Sequence, residues 1–455
     1  MRISSSSEKS SLNENSIFII SIILLCIAPL IRSGRMYSAL LILEILGITL
    51  ITLAAWNPLH QYNIPKIIKI TVWSIIVIPC LYLLPLPLSI WQNLPGHELY
   101  TESLNIVVAN GYADNYLTSS LIPYRTVSTL LSLLPVIGIF LAALILPRTK
   151  IIFLVYLFLG IASFEAALGL IQYGSGAEWA FWWSIEDEGR NATGTYPNRD
   201  HFAALMELAL PLGLSMIAYN IGNKRHKDDE NPYIFNETLI FFTISVLIIL
   251  AGIFSRSRAG VLLIIVGILL SSISFGRHAG GKQNVGLNVI IISVTIGIAT
   301  SIGLVPVLNR FAVDPMEDAR WQIFDAVWVG IKQFFPLGSG PGTFQSVFLA
   351  FQPPSLQKFI NHAHNDYLEL FFETGIFGIL LIALLVITYI YGWFNLRSNQ
   401  WGRFQFIQVA TGISLLLMSL HGFMDFNFHT PANVIFFAFL SGIFLHQGTK
   451  KSPHN

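Results

Sequence analysis

The stretch His362-Ala-His-Asn-Asp-Tyr-Leu-Glu-Leu-Phe-Phe-Glu-Thr-Gly-Ile-Phe-Gly378 sets imidazole, amide and carboxylate groups at the mouth of a long apolar run. A helix that starts near His364 reaches Gly375 eleven residues on, and at about 100° per residue that is three turns plus about 20°. His364 and Gly375 then share a face with Leu368 and Phe371. The histidine is expected above a stripe where Gly375 lets a neighbouring helix approach closely.

Working outward, the 455 residues are 54% hydrophobic and 11% charged, with a mean hydropathy of +0.64. Soluble domains do not look like this; a polytopic membrane protein does. The net charge of +1 carries no information about a nucleic-acid partner, because charge in such a chain is set loop by loop. Cys26 and Cys80 both lie inside apolar runs, so neither a disulfide framework nor a thiolate metal site is implied.

Runs of spanning length fall at 17–31, 36–55, 67–88, 126–146, 151–172, 201–220, 236–254, 258–275, 287–307, 371–394, 404–424 and 431–447. The expected fold is therefore all-α and integral to a membrane, with about twelve transmembrane helices. The first run lacks a small-residue cleavage site and is followed by Arg32, so it is expected to be a retained span. Pro79, Pro135 and Pro211 are tolerable inside membrane helices, where neighbours re-satisfy freed carbonyls.

Orientation follows from the basic residues. With the N-terminus in the cytoplasm, Arg2, Lys9, Lys66, Lys69, Arg148, Lys150, Lys224, Arg225, Lys227, Arg277, Lys282, Arg397, Arg403, Lys450 and Lys451 lie inside. Nine of these fifteen are lysine. Of the eleven on the outer face nine are arginine: Arg32, Arg35, Arg125, Arg190, Arg199, Arg256, Arg258, Arg310 and Arg320. Guanidinium forks bind phosphate bidentately and stay charged, which suits a face that handles a diphosphate.

The outer face also carries the long loops, about 89–125, 173–200 and 308–370. Residues 316–334 of the last are expected to form an amphipathic helix along the membrane surface, with Trp321, Phe324, Trp328 and Ile331 on one side. The glycine-rich Pro336–Phe344 turn that follows is either a plain connection or a cradle of N–H groups for an anion. Asn198 or Asp200 is expected to cap the helix after Tyr196-Pro-Asn-Arg-Asp-His-Phe202. In Ser255-Arg-Ser-Arg-Ala-Gly260, two arginines two apart would point about 200° apart on a helix, which favours Arg258 over Arg256 for a common pocket. His362 and His364 alternate as metal ligands in an extended segment do. No third ligand stands at a recognisable zinc spacing, however, and His421 and His429 belong to another helix end, so no metal and no cofactor is expected.

His364-Asn365, nine intervening residues, and Gly375 together resemble the signature of the O-antigen ligase family. The twelve spans, the large outer loop between the ninth and tenth, and the Arg320-Trp321…Pro336–Phe344 stretch extend the resemblance over most of the chain. It implies a GT-C-type fold in a single polytopic domain, 1–455, with a ligase/polymerase-like core at 201–394 that includes the 308–370 loop. It further implies transfer from an undecaprenyl-diphosphate-linked glycan to lipid A-core or a growing glycan, at the periplasmic face of the bacterial inner membrane. Carried onto this chain, the catalytic histidine falls on His364 and the essential arginines on Arg199 and Arg258. Arg256, Arg320, Asn365 and Glu369 are the remaining candidates for binding substrate.

The chemistry agrees with the residues. A polyprenyl diphosphate is a good leaving group, so the protein must hold its developing charge and direct an acceptor hydroxyl at the anomeric carbon. No Asp-x-Asp metal motif is present, and Glu186-Asp-Glu188 reads as solvated loop. The outer arginines are expected to replace the metal, with a histidine to take the hydroxyl proton. A lipid-linked-glycan transporter is the alternative of another class. It calls for charged or broken segments at mid-membrane, whereas the charges here gather at the outer boundary.

Overall fold

The computed structural model describes residues 2–56, 64–110, 116–175, 191–224, 232–276, 316–396 and 401–447, with isolated positions between 278 and 300. The expected ninth span and Arg190, Arg310 and Glu186–Glu188 lie outside the described residues, as do Arg225, Lys227, Arg277, Lys282, Arg397, Lys450 and Lys451. Among the described residues the protein is mainly α-helical. Eight helices are long and apolar enough to cross a membrane: Tyr37–Trp56, Pro123–Ile145, Arg148–Gly174, Arg199–Gly222, Asn236–Phe254, Arg258–Gly276, Ile376–Asn395 and Arg403–His421. Shorter apolar helices run over Leu12–Ile27 and Pro431–Phe444. Lys66–Tyr82 is a further helix of 17 residues. It stops short of 88, because the chain turns into a small antiparallel ribbon that pairs Pro85–Pro87 with Tyr116–Thr118.

The helix Arg199–Lys224 is the axis of the bundle, buried on nearly every side by the helices Pro232–Phe254, Arg258–Gly276 and Arg403–His421. Small and hydroxyl residues let these helices close: a Cβ on Gly213 would meet Ser245 Oγ at 2.7 Å, and Ser414 Oγ donates to Leu208 O at 2.7 Å. Pro79, Pro135 and Pro211 sit inside helices as expected. Gly47 meets the Pro135 backbone so closely that a Cβ would lie 2.3 Å from its nitrogen.

The outer loop folds as a cap with its own small core, built by Ile323, Val327, Phe334, Phe344, Phe348 and Phe372. The helix Met316–Phe334 is present, and a second side of it packs into this core. Ile323, Val327 and Phe334 turn inward, and Gly330 lies under the Phe372 ring, where a Cβ would be 2.2 Å away. Trp321 and Trp328 remain exposed.

Two expectations about the opening stretch are corrected. No helix starts at His364; it stands before the helix in a left-handed conformation, φ 51°, and the helix Asp366–Thr374 begins after the cap Asn365. Nor does the helix run through Gly375, which has φ 52° and ψ −126° and separates Asp366–Thr374 from Ile376–Asn395. What approaches Gly375 is the backbone of Pro336, whose oxygen would lie 2.1 Å from a Cβ there. A glycine is needed for both the dihedral and the contact.

Candidate functional site

The arginines of the outer loops come together. Arg199 opens the central helix, and Asn198 caps it by accepting from Asp200 N at 2.8 Å. Arg258 opens the next-but-one helix, and Arg256 lies in the turn before it, with φ 59°. Ser255 Oγ accepts from Ser257 N at 3.2 Å and Ser257 Oγ from Gly260 N at 3.1 Å, which holds this tight turn. Arg320 comes from the cap helix. All four line one small cleft, open to solvent, together with Asp200, His421 and Met424. The expectation that only one of Arg256 and Arg258 faces a common pocket is corrected. The 200° divergence holds on a helix, and Arg256 is not on one.

His364, Asn365 and Glu369 are not part of that lining. They meet it through the segment that follows the helix Arg403–His421. Asp425 is a residue beyond Met424, and its Oδ1 lies 3.1 Å from His364 Nδ1. The other carboxylate oxygen of Asp425 lies 3.4 Å from His201 Nε2. Behind His201, Thr430 Oγ1 lies 3.0 Å from Nδ1, and Arg35 donates to Thr430 Oγ1 at 3.2 Å. Burial works against the Asp425 anion, but the hydrogen bond to His364 and the neighbouring His201 hold its carboxyl well below the usual range. His364 keeps part of its side chain exposed, 22%, while Asp425 is buried.

A second histidine–carboxylate pair stands inside the bundle. His421 Nδ1 lies 2.9 Å from Glu207 Oε1, both side chains being fully buried. His421 Nε2 has no hydrogen-bond partner among the described residues, and the residue lines the arginine cavity.

Asn365 and Glu369 are engaged within the protein. Asn365 Oδ1 accepts from Tyr367 N and Leu368 N, both at 3.0 Å, and its Nδ2 donates to Phe423 O at 3.0 Å. That makes Asn365 the clamp between the two loops that carry His364 and Asp425. Glu369 accepts from Ala363 N at 2.7 Å and faces His362 Nδ1 at 2.9 Å and His429 Nε2 at 3.2 Å. Burial alone would raise the Glu369 carboxyl, but His429 and His362 hold it below its ordinary range. Burial likewise disfavours the His429 cation, yet Glu369 and the hydrogen bond with Asp366 outweigh it and raise His429.

The glycine-rich turn does cradle an acidic group, and the group is the protein's own. Gly342 N and Phe344 N donate to the two oxygens of Glu373, each at 2.9 Å. This fixes the cap to the helix Asp366–Thr374, so those N–H groups are not available to a phosphate.

Sequence reasoning did not single out Asp425, His201, Glu207 or His421 as site residues. Glu207 carried the one usable signal, a carboxylate inside an apolar span, where an unpaired charge is expensive. Asp425 carried none.

Residues 243–383 match the family model described as O-antigen ligase. The match contains Arg256, Arg258, Arg320 and His364, and it leaves Arg199, His421, Asp425 and His429 outside it. No curated protein matches the chain. Over residues 243–383, then, the chain is similar to the O-antigen ligase family.

Proposed function

We propose that the protein is a twelve-span glycosyltransferase that moves a glycan from undecaprenyl diphosphate to an acceptor hydroxyl at the periplasmic face of the bacterial inner membrane, with lipid A-core as acceptor. The observation that carries this is the cavity lined by Arg199, Arg256, Arg258 and Arg320, beside the loop in which Asp425 orients His364. Arginines from three separate segments fit a diphosphate held bidentately.

In the proposed step the ionised Asp425 accepts from His364 Nδ1–H, which leaves Nε2 as the proton acceptor. The acceptor hydroxyl gives its proton to Nε2 while its oxygen bonds to the anomeric carbon. The bond from that carbon to the diphosphate oxygen breaks with inversion, and the arginines take up the charge on the departing undecaprenyl diphosphate. No metal is assigned to this charge. The groove formed by Trp328, Ile331, Phe335, Phe371 and Ile379, with Lys332 at its edge, suits the polyprenyl chain.

A second assignment of the base, to His421, is favoured by one observation: His421 itself lines the arginine cavity with Nε2 unpartnered. The test is transfer by purified protein from lipid-linked glycan. His364→Ala should lower turnover by about 10²–10⁴-fold with the protein still folded. Wild-type turnover in His364→Ala, with loss in His421→Ala, would move the role to His421. Glycan recovered on lipid A-core supports the ligase; longer chains on undecaprenyl diphosphate would make the protein a polymerase.

A further inference from the structure

We propose that His362, Glu369 and His429 form a binding site for a divalent transition-metal cation, with zinc the best match to its ligands. His362 Nδ1 and His429 Nε2 converge on one atom, Glu369 Oε1, at 2.9 and 3.2 Å. All three ligand atoms lie within 4.8 Å of one another. In a tetrahedral site with bonds of about 2.0–2.1 Å, neighbouring ligand atoms stand about 3.3–3.4 Å apart. The two nitrogen–oxygen separations are within a few tenths of an ångström of that, and the arrangement leaves a fourth position open.

The surroundings are those of a metal site as well. Asp366 Oδ1 lies 3.1 Å from His429 Nδ1, which puts the ring proton there and the Nε2 lone pair towards Glu369. Ala363 N donates to Glu369 Oε2 at 2.7 Å and so orients the carboxylate. Phe426 stacks on His362 with ring centroids 4.3 Å apart and walls one side. The charge balance points the same way. Asp366, Glu369 and Glu373 are three buried carboxylates on one nine-residue helix. Hydrogen bonds alone would have both histidines donating to one oxygen, whereas a dication satisfies both nitrogen lone pairs and offsets the negative charge. Imidazole and carboxylate together select zinc and its neighbours over magnesium. The side chains of His362 and His429 are 23% and 30% exposed, which gives an entry path.

None of the three ligands lines the arginine cavity, so the cation is not placed to hold a phosphate. It would clasp the segment before the helix Asp366–Thr374 to the segment before the helix Pro431–Phe444. Those two segments carry His364 and Asp425. The assignment does not depend on the transferase chemistry.

The test is metal content and visible spectroscopy on the full chain, purified in detergent without a polyhistidine tag. Zinc measured by mass spectrometry should be stoichiometric after equilibration and dialysis. Co²⁺ should give the intense visible bands of tetrahedral coordination. Asp366→Asn should weaken zinc by about 10–100-fold, and His429→Ala and Glu369→Gln should abolish the bands. Folded wild-type protein that takes up neither zinc nor Co²⁺ overturns the proposal, as do bands that persist unchanged in His429→Ala. Should the ligand variants fail to fold, the wild-type Co²⁺ titration decides alone.

Discussion

Asp425 Oδ1 stands 3.1 Å from His364 Nδ1 across 61 positions of sequence, so the histidine's orientation is set by a loop that its own segment does not contain. His364 also holds a left-handed φ of 51°, a conformation that costs a non-glycine residue on the order of 1–2 kcal/mol. Asn365 maintains it by capping the helix behind it and bonding to Phe423 O.

This pair gives the first prediction. Asp425→Asn keeps the shape but no longer accepts from Nδ1–H in the required sense, so it should lower turnover by about 10²–10⁴-fold with donor binding little changed. Single-turnover rates alongside donor affinity check it. Wild-type rates in Asp425→Asn would remove His364 from the proton transfer.

The arginine cavity gives the second. Arg256→Lys and Arg258→Lys keep the charge and lose the fork, and since both line the cavity both should impair transfer to a similar degree. Donor titration of each variant reads this. A large loss in Arg258→Lys with none in Arg256→Lys would mean that only one of them touches the diphosphate.

Third, adding or withdrawing free Mg²⁺ or Mn²⁺ should leave the transfer rate unchanged, because arginines are assigned the charge of the leaving group. A rate that collapses without free Mg²⁺ and returns with it would contradict that assignment. A tightly held zinc at His362, Glu369 and His429 is a separate matter, read by metal content.

The lysine and arginine asymmetry supports a fourth prediction. A reporter fused after Lys227 should be cytoplasmic and one fused near Gln352 periplasmic. Both on one side of the membrane would separate His364 from the compartment assigned to the donor.

A fifth concerns pH. His97 is buried against Trp91, with ring centroids 4.4 Å apart, and burial lowers its pKa to about 4, Glu98 opposing only in part. The unfolded chain binds the proton from about 6.5 downward, so stability is full above that value and falls as pH drops from 6.5 to 4. The loss from this group is about 3 kcal/mol. His97→Phe should flatten the fall in thermal midpoint over this range; an unchanged slope would refute the assignment.

Much of the architecture is written in the amino-acid sequence because it depends on local quantities. Long apolar runs can only satisfy their backbone in a bilayer as helices, and the places of lysine and arginine along the chain are read without any packing. The His364-Asn365 pair and Gly375 were visible as a motif, and Asn365 as a capping residue type. What only the tertiary structure decided is convergence. Arg256 joins Arg258 because a left-handed turn, not a helix, carries it. The glycine-rich turn is closed by Glu373 from a helix about thirty positions away. His429 completes a ligand set with His362 and Glu369 at no spacing a motif could encode, because it arrives on a loop whose position is set by how two buried helices pack. Side chains far apart in sequence meet only when the core between them closes, and no periodicity in the chain records that meeting.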